Sequence, residues 1–262
     1  MAINSDFEFW FQNEAADRQV DSYVHKFGEN PAVGTTFEPV SVGGIYRTPT
    51  YGNGTKLRVK AGDADDTAAG TGARKIFIQG IEDVTGDLVS EELVTAGTSA
   101  GASSVHTYVR LFRAYVSESG TYATSAAGSQ AADVVIENVA GSEDWLTIDA
   151  TDYPKAQSQV GFYTVPSGFD AYIVSQKMYV DSNKTADIVL FTRGGVLDQA
   201  APYQGFRAQQ QFIGVVGEAS SEHYSRPIGP YSELTDIGYM AKAAQSASAS
   251  VNFEVALLRN GE

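Results

Sequence analysis

Apolar residues in this chain recur at every second position, and almost nowhere at the spacing of three to four that an amphipathic helix requires. In the run around Leu57, Val59 and Ala61, the apolar side chains share one face and Lys56, Arg58 and Lys60 share the other. Near the end, Val251, Phe253, Val255 and Leu257 oppose Asn252 and Glu254 in the same way. Further strand-like runs lie at 75–81, 107–116, 133–138, 145–148, 162–165, 172–180 and 187–193, punctuated by Gly, Pro, Asn and Ser. A single stretch, 13–23, reads as a candidate helix, and it is short and mostly polar. Many short strands without intervening helices predict an all-β protein, a jelly-roll-like β-sandwich with an extended N-terminal segment. Val165 is pushed extended by Pro166, and Pro166-Ser167-Gly168 then turns the chain toward the next strand, which predicts a β-hairpin there.

The organisation expected along the chain is an N-terminal anchoring extension over 1–48, a first β-rich unit over 49–156 and a second, jelly-roll-like unit over 157–262. One continuous sandwich is the alternative. Residues 57–81 and 237–258 echo one another, each with a strand, a small-residue loop and a second strand, and duplication or coincidence both account for that. Loops 63–73, 96–104 and 117–132 are built almost wholly from Ala, Gly, Ser, Thr and Asp. Such loops either stay mobile or lie flat against a neighbouring subunit, and the second option suits an assembly.

Composition excludes several classes. With 18 Lys plus Arg against 32 Asp plus Glu the formal charge is −14, and no basic cluster offers phosphate contacts, so no nucleic-acid partner is expected. The chain has no Cys and only three His, at His25, His106 and His223, so neither a thiol nucleophile nor a local metal-binding pair exists and no cofactor is expected. The start, MAINSDFEFWF, lacks a basic then apolar leader, and no apolar run is long enough to span a bilayer, so a non-exported chain without a membrane partner is expected.

Candidate chemistry is thin. Asp63, Asp65 and Asp66 open like a calcium loop, but Ala68 stands where a sharp turn needs Gly and Arg74 where a bidentate Glu belongs. The couplets Glu91-Glu92 and Glu143-Asp144 place neighbouring acids on opposite strand faces, so neither forms a hydrolytic dyad by itself. His106 and His223 lie near serines without a strained nucleophile turn. Two glycosylation sequons, at Asn53 and Asn183, are expected to be idle. No catalytic, cofactor or metal residue is assigned, and the chain is expected not to be an enzyme.

The candidates for partner docking are Phe7, Phe9, Trp10 and Phe11, together with Lys56, Arg58 and Lys60. Four buried aromatics give roughly 6–12 kcal/mol, against about 10–20 kcal/mol to order ten residues. An aromatic arm therefore also needs backbone pairing to a partner's sheet edge. The cationic stripe reads either as a guard on a sheet edge or as a contact for an acidic surface. Tyr203, Tyr224 and Tyr231 are the candidate aromatic platforms for a sugar.

Three landmarks carry a resemblance: Val24-His25-Lys26-Phe27-Gly28 with Asn30; Tyr163 to Gly168 leading into Ala171-Tyr172-Ile173; and Leu234-Thr235-Asp236-Ile237 before the closing strand. Together they resemble a little-characterised group of structural proteins of tailed, mainly marine, bacteriophages. The resemblance implies a virion component assembled in the host cytoplasm, partnered by other virion structural proteins and by copies of itself, by analogy a trimer. Capsid decoration or cement is the role expected. A tail or fibre component is the alternative, and a carbohydrate- or receptor-binding module a further one.

Overall fold

The computed structural model describes residues 20–124, 129–150 and 156–260, with the backbone alone at 218–223 and 225. It contains fifteen β-strands and one short 3-10 turn among those residues, so the all-β expectation holds. The chain divides into two compact units, one formed by 1–40, 161–196 and 202–262, the other by 41–160 and 197–201.

The first unit holds strands β1 (Val20–Val33), β2 (Glu38–Pro39), β9 (Phe162–Thr164), β10 (Phe169–Val180), β11 (Ala186–Arg193), β12 (Arg207–Val215), β13 (Glu218–Tyr231), β14 (Asp236–Ala243) and β15 (Ala247–Arg259). One sheet has the order β1-β15-β10-β13 and the other β12-β11-β14-β2, with β9 also pairing β14. Setting β9 aside, the strands pair first with last, second with second-last, and so inward: β1 with β15, β2 with β14, β10 with β13, β11 with β12. That is one long antiparallel ribbon. Wrapping it upon itself adds two more ladders, β10 with β15 and β11 with β14. Ribbon and wrap together define a jelly roll.

Period-two patterning builds its core. In β15, Ala249, Val251, Phe253 and Val255 are buried while Ser250, Asn252 and Glu254 between them are half-buried. Tyr239 of β14 meets Phe253 across the sandwich, ring centroids 5.2 Å apart. Gln176 of β10 sits on the inward parity with Met178 and Val180, and its amide is satisfied there. Tyr239 Oη donates to Gln176 Oε1 (2.5 Å), and Gln176 Nε2 donates to Gln210 Oε1 (2.7 Å) and to the Tyr224 hydroxyl. Where β1 passes residue 161 only hydrogen fits: a Cβ on Gly28 would lie 2.2 Å from the Gly161 nitrogen.

The second unit is built mainly from the connection between β2 and β9, with residues 197–201 from the β11–β12 connection joining it. Its strands are β3 (Leu57–Ala61), β4 (Ala73–Glu82), β5 (Leu88–Val94), β6 (Tyr108–Ser119), β7 (Val134–Asn138) and β8 (Asp144–Ile148). They form two three-stranded sheets, β3-β7-β8 and β5-β4-β6. Ser41 bridges Val160 within this unit, as the Gly161 amide donates to the Val40 carbonyl (2.9 Å) within the first. The two ends of the inserted segment therefore start side by side, the arrangement that lets one domain interrupt another.

Several expectations are corrected. The division falls at 40/41 and 160/161, not at 48/49 and 156/157, and residues 20–33 of the expected extension form β1, a ladder partner of β15. The C-terminal end of the candidate helix 13–23 is the start of that strand, because pairing to β15 outweighs a weak local preference. The chain around Pro166 makes no hairpin: β9 pairs β14 while β10 pairs β13 and β15, so the proline turn carries the chain from one sheet to the other. The echo at 57–81 and 237–258 is no structural repeat, since the two units have different strand orders.

Candidate interaction surfaces

All the resemblance landmarks fall in the jelly roll, and they bond to one another. The Val165 amide donates to the Thr235 carbonyl (3.0 Å) and the Leu234 amide to the Val165 carbonyl (2.8 Å). Thr164 Oγ1 donates to Asp236 Oδ1 (2.7 Å), and Arg193 reaches Asp236 Oδ2 (2.8 Å). The Asp236 side chain is fully buried, so the guanidinium balances a charge that water does not reach. Beside this pair runs an aromatic row. Phe162 lies 5.6 Å from Phe191, Phe191 lies 4.9 Å edge-on from Phe206, and the Arg193 guanidinium sits 4.3 Å above the Phe206 ring. Gly238 makes room, since a Cβ there would lie 2.2 Å from Phe162. Phe162 and Phe191 are buried, but Phe206 is 47% exposed.

Phe7, Phe9, Trp10 and Phe11 lie outside the described residues. Of the cationic stripe, Arg58 and Lys60 lie on β3 as its alternation requires and Lys56 immediately precedes it, with Lys56 and Lys60 exposed. Arg58 is engaged: its guanidinium lies 2.7 Å from Glu137 across the β3–β7 ladder. Nor is β3 a free edge. On the side away from β7, the Gly101 amide donates to the Val59 carbonyl (2.8 Å) and the Ser104 amide to the Leu57 carbonyl (2.7 Å). Loop 96–104 thus lies flat against its own unit, its Gly101 so close that a Cβ would meet the Val94 carbonyl at 2.6 Å. An edge guard has nothing to guard there.

The acidic candidates resolve into local structure. Asp66 is buried, and its carboxylate accepts backbone amides from Ala73 (2.7 Å), Ala131 (2.9 Å) and Ala132 (3.2 Å), tying loops 63–73 and 117–132 together. Glu91 accepts the amides of Val105 and His106 and the Tyr108 hydroxyl. Burial first, then the Glu91 carboxylate, pushes the Tyr108 phenol well above its ordinary pKa. His106 Nδ1 lies 2.9 Å from Glu82, while Ser104 Oγ donates to the His106 carbonyl (2.7 Å) and accepts the Leu57 amide (2.9 Å). That serine hydroxyl bonds backbone and not the imidazole. Among the described residues no cluster of three or more His, Asp or Glu could hold a metal ion.

Of the tyrosine platforms, Tyr224 is bonded into the Gln176 network and Tyr231 is buried. Tyr203 is 53% exposed. Sequence reasoning missed Asp236, Arg193 and Gln176 as individuals. Gln176 was detectable, as a polar residue on the parity of Met178 and Val180. It also missed β12, which forms one edge of its sheet and carries Ile213 at 69% exposure.

No family model matches the chain, and no curated protein matches it. Among solved structures, a chain in the structure of infectious bursal disease virus Gt strain is similar over 93% of this chain and 78% of its own, at 10% identity and a TM-score of 0.16. A likeness that slight carries no argument.

Proposed function

We propose that the chain is a non-enzymatic structural protein of a tailed-bacteriophage virion, acting by binding, and that its role is to decorate or cement the capsid. The observation that carries the reading is the complete jelly-roll wrap, six ladders closed around one core, with a second β unit built mainly from the β2–β9 connection. Jelly rolls build viral capsid domains, but also lectins and cupins, so the architecture is weighed with the residues. The segments that resemble the phage group are those that lace this wrap together, and the carboxylates and imidazole with reach for chemistry are spent on backbone amides and neighbouring side chains. Its partners are other virion proteins and further copies of itself, the trimer being the assembly expected by analogy.

The test is labelling of the protein on purified particles. Hundreds of copies spread over the head support decoration; multiples of three or six at one vertex give the tail or fibre role instead. Removing residues 1–12 tests the arm: the β fold should melt cooperatively as before while particle association is lost, and a truncated chain that fails to fold overturns the arm. A glycan-binding module is the second reading, favoured by the exposed Tyr203 and Phe206. It requires array binding that Tyr203→Ala abolishes.

A further inference from the structure

The jelly roll has four sheet edges, and they are not alike. β1 contains Pro31 with Asp21 and Glu29, β13 contains Pro227 and Pro230 with Glu218 and Glu222, and β2 is two residues long and ends in Pro39. Prolines, charges and shortness are the usual means by which an edge refuses a foreign strand. β12 has a single charge, Arg207 at its first position, and from Ala208 to Val215 neither charge nor proline. Among the described residues β12 pairs only β11, so its other side presents free amides and carbonyls. Register shifts against β11 leave Gln210, Gln211 and Phe212 as the regular middle of the strand. Exposed Phe206, Ile213 and Val216 flank that middle with apolar surface.

We propose that the outer edge of β12 docks the β12 of a second copy, antiparallel, across a two-fold axis at Gln211. Charge selects this occupant. Each copy carries −14, so two copies meet most easily where neither presents an uncompensated carboxylate; β12 itself has none, and Asp187 of β11, which accepts its Gly214 amide (2.9 Å), is paired with Lys242 (3.5 Å). Antiparallel pairing about Gln211 sets Arg207 opposite residue 215 of the other strand. The two Arg207 residues are then about 27 Å apart at ~3.4 Å per residue, beyond three Debye lengths of ~8 Å. Parallel pairing would bring them together. The contact is isologous and closes at two; where copies also form trimers, it joins one trimer to the next. The inference rests on the reading of the chain as an assembled part.

The absence of cysteine makes the test clean, since a single introduced thiol reports only on itself. Gln209→Cys, Gln211→Cys and Ile213→Cys are oxidised in the full-length chain, with Tyr122→Cys, 91% exposed in the other unit, as the random-collision control. On the axis, facing Cα atoms stand about 4.5–5.5 Å apart, within disulfide reach. Two residues off the axis, like positions are about 14 Å apart. Gln211→Cys should therefore give covalent dimer while the other two stay at the control level. Sedimentation should show dimer increasing from low to high salt as like charge is screened, with Ile213→Lys weakening association tenfold or more. Control-level cross-linking at Gln211→Cys, or equal cross-linking at all three positions, overturns the proposal. A chain that stays monomeric at every salt yet still associates with particles overturns the β12 contact and leaves the structural role standing.

Discussion

Replacing Arg193 by Ala strips the guanidinium from Asp236, whose side chain is fully buried. Leaving one member of a buried pair uncompensated costs about 3–5 kcal/mol. The Arg193 side chain is itself 19% exposed, so some solvation reaches the pair and the lower end, about 3 kcal/mol, is the value expected. Against a domain stability of about 5–15 kcal/mol, that should lower the melting temperature of the jelly roll by roughly 6–12 °C. The readout can be confined to one unit. The two tryptophans are Trp10 and Trp145, and Trp145 is buried in the inserted unit. In a Trp10→Phe background, indole fluorescence follows the insertion while circular dichroism follows both units. Arg193→Ala should move the dichroism transition and leave the fluorescence transition in place. Removing both partners leaves no charge buried, so Arg193→Ala with Asp236→Ala should be more stable than Arg193→Ala alone by about 1 kcal/mol or more. A double variant as unstable as the two single losses added together would refute the account of the pair.

Asp66→Ala withdraws the acceptor from three backbone amides, of which only that of Ala73 is fully buried, so at about 1–3 kcal/mol for a buried donor left unpaired it should cost about 1–3 kcal/mol, read this time by Trp145 fluorescence. Burial raises the Tyr231 phenol to about 12, and burial with Glu91 raises Tyr108 further. Both pKa values are higher folded than unfolded, so this stability is whole below pH 10 and is lost as pH rises above it, through 12 for Tyr231 and beyond that for Tyr108. For Tyr231 alone the loss is about 3 kcal/mol at ~1.4 kcal/mol per unit; denaturant titrations at pH 9 and pH 12 measure it. Residues 41–160 expressed alone should fold, with a blue-shifted Trp145 emission, because the segment carries its own core and its ends meet at Ser41 and Val160. An emission like that of free tryptophan would refute its independence.

Strand character was legible wherever a strand has one wet face, as in β3 and β15, because alternation writes burial directly into sequence. Partnering was not. Pro166 announces a turn, but whether β9 then meets β10 or β14 depends on a contact some seventy residues away. Domain boundaries were hidden for a related reason: Val40, Ser41, Val160 and Gly161 are paired strand-like residues, not a polar linker, so composition does not change at the crossing. Asp66 looked like a solvated acid because three amides that bury it come from 73, 131 and 132, positions that no local window joins. Loop 96–104 is small-sided enough for a mobile segment or a contact with a neighbouring subunit, and it instead lies flat on its own β3, which no local pattern could name as its partner. The exposed edge at β12, free of carboxylate and proline, lay in plain sight as RAQQQFIGV, and only the sheet order makes it an edge.

The most direct measurement is electron cryomicroscopy of purified phage particles, with the copy number of this chain counted by quantitative mass spectrometry. The account predicts the jelly roll in many ordered copies on the particle surface, contacting other virion proteins. Particles that lack the chain altogether, made in cells where it accumulates free, would contradict it.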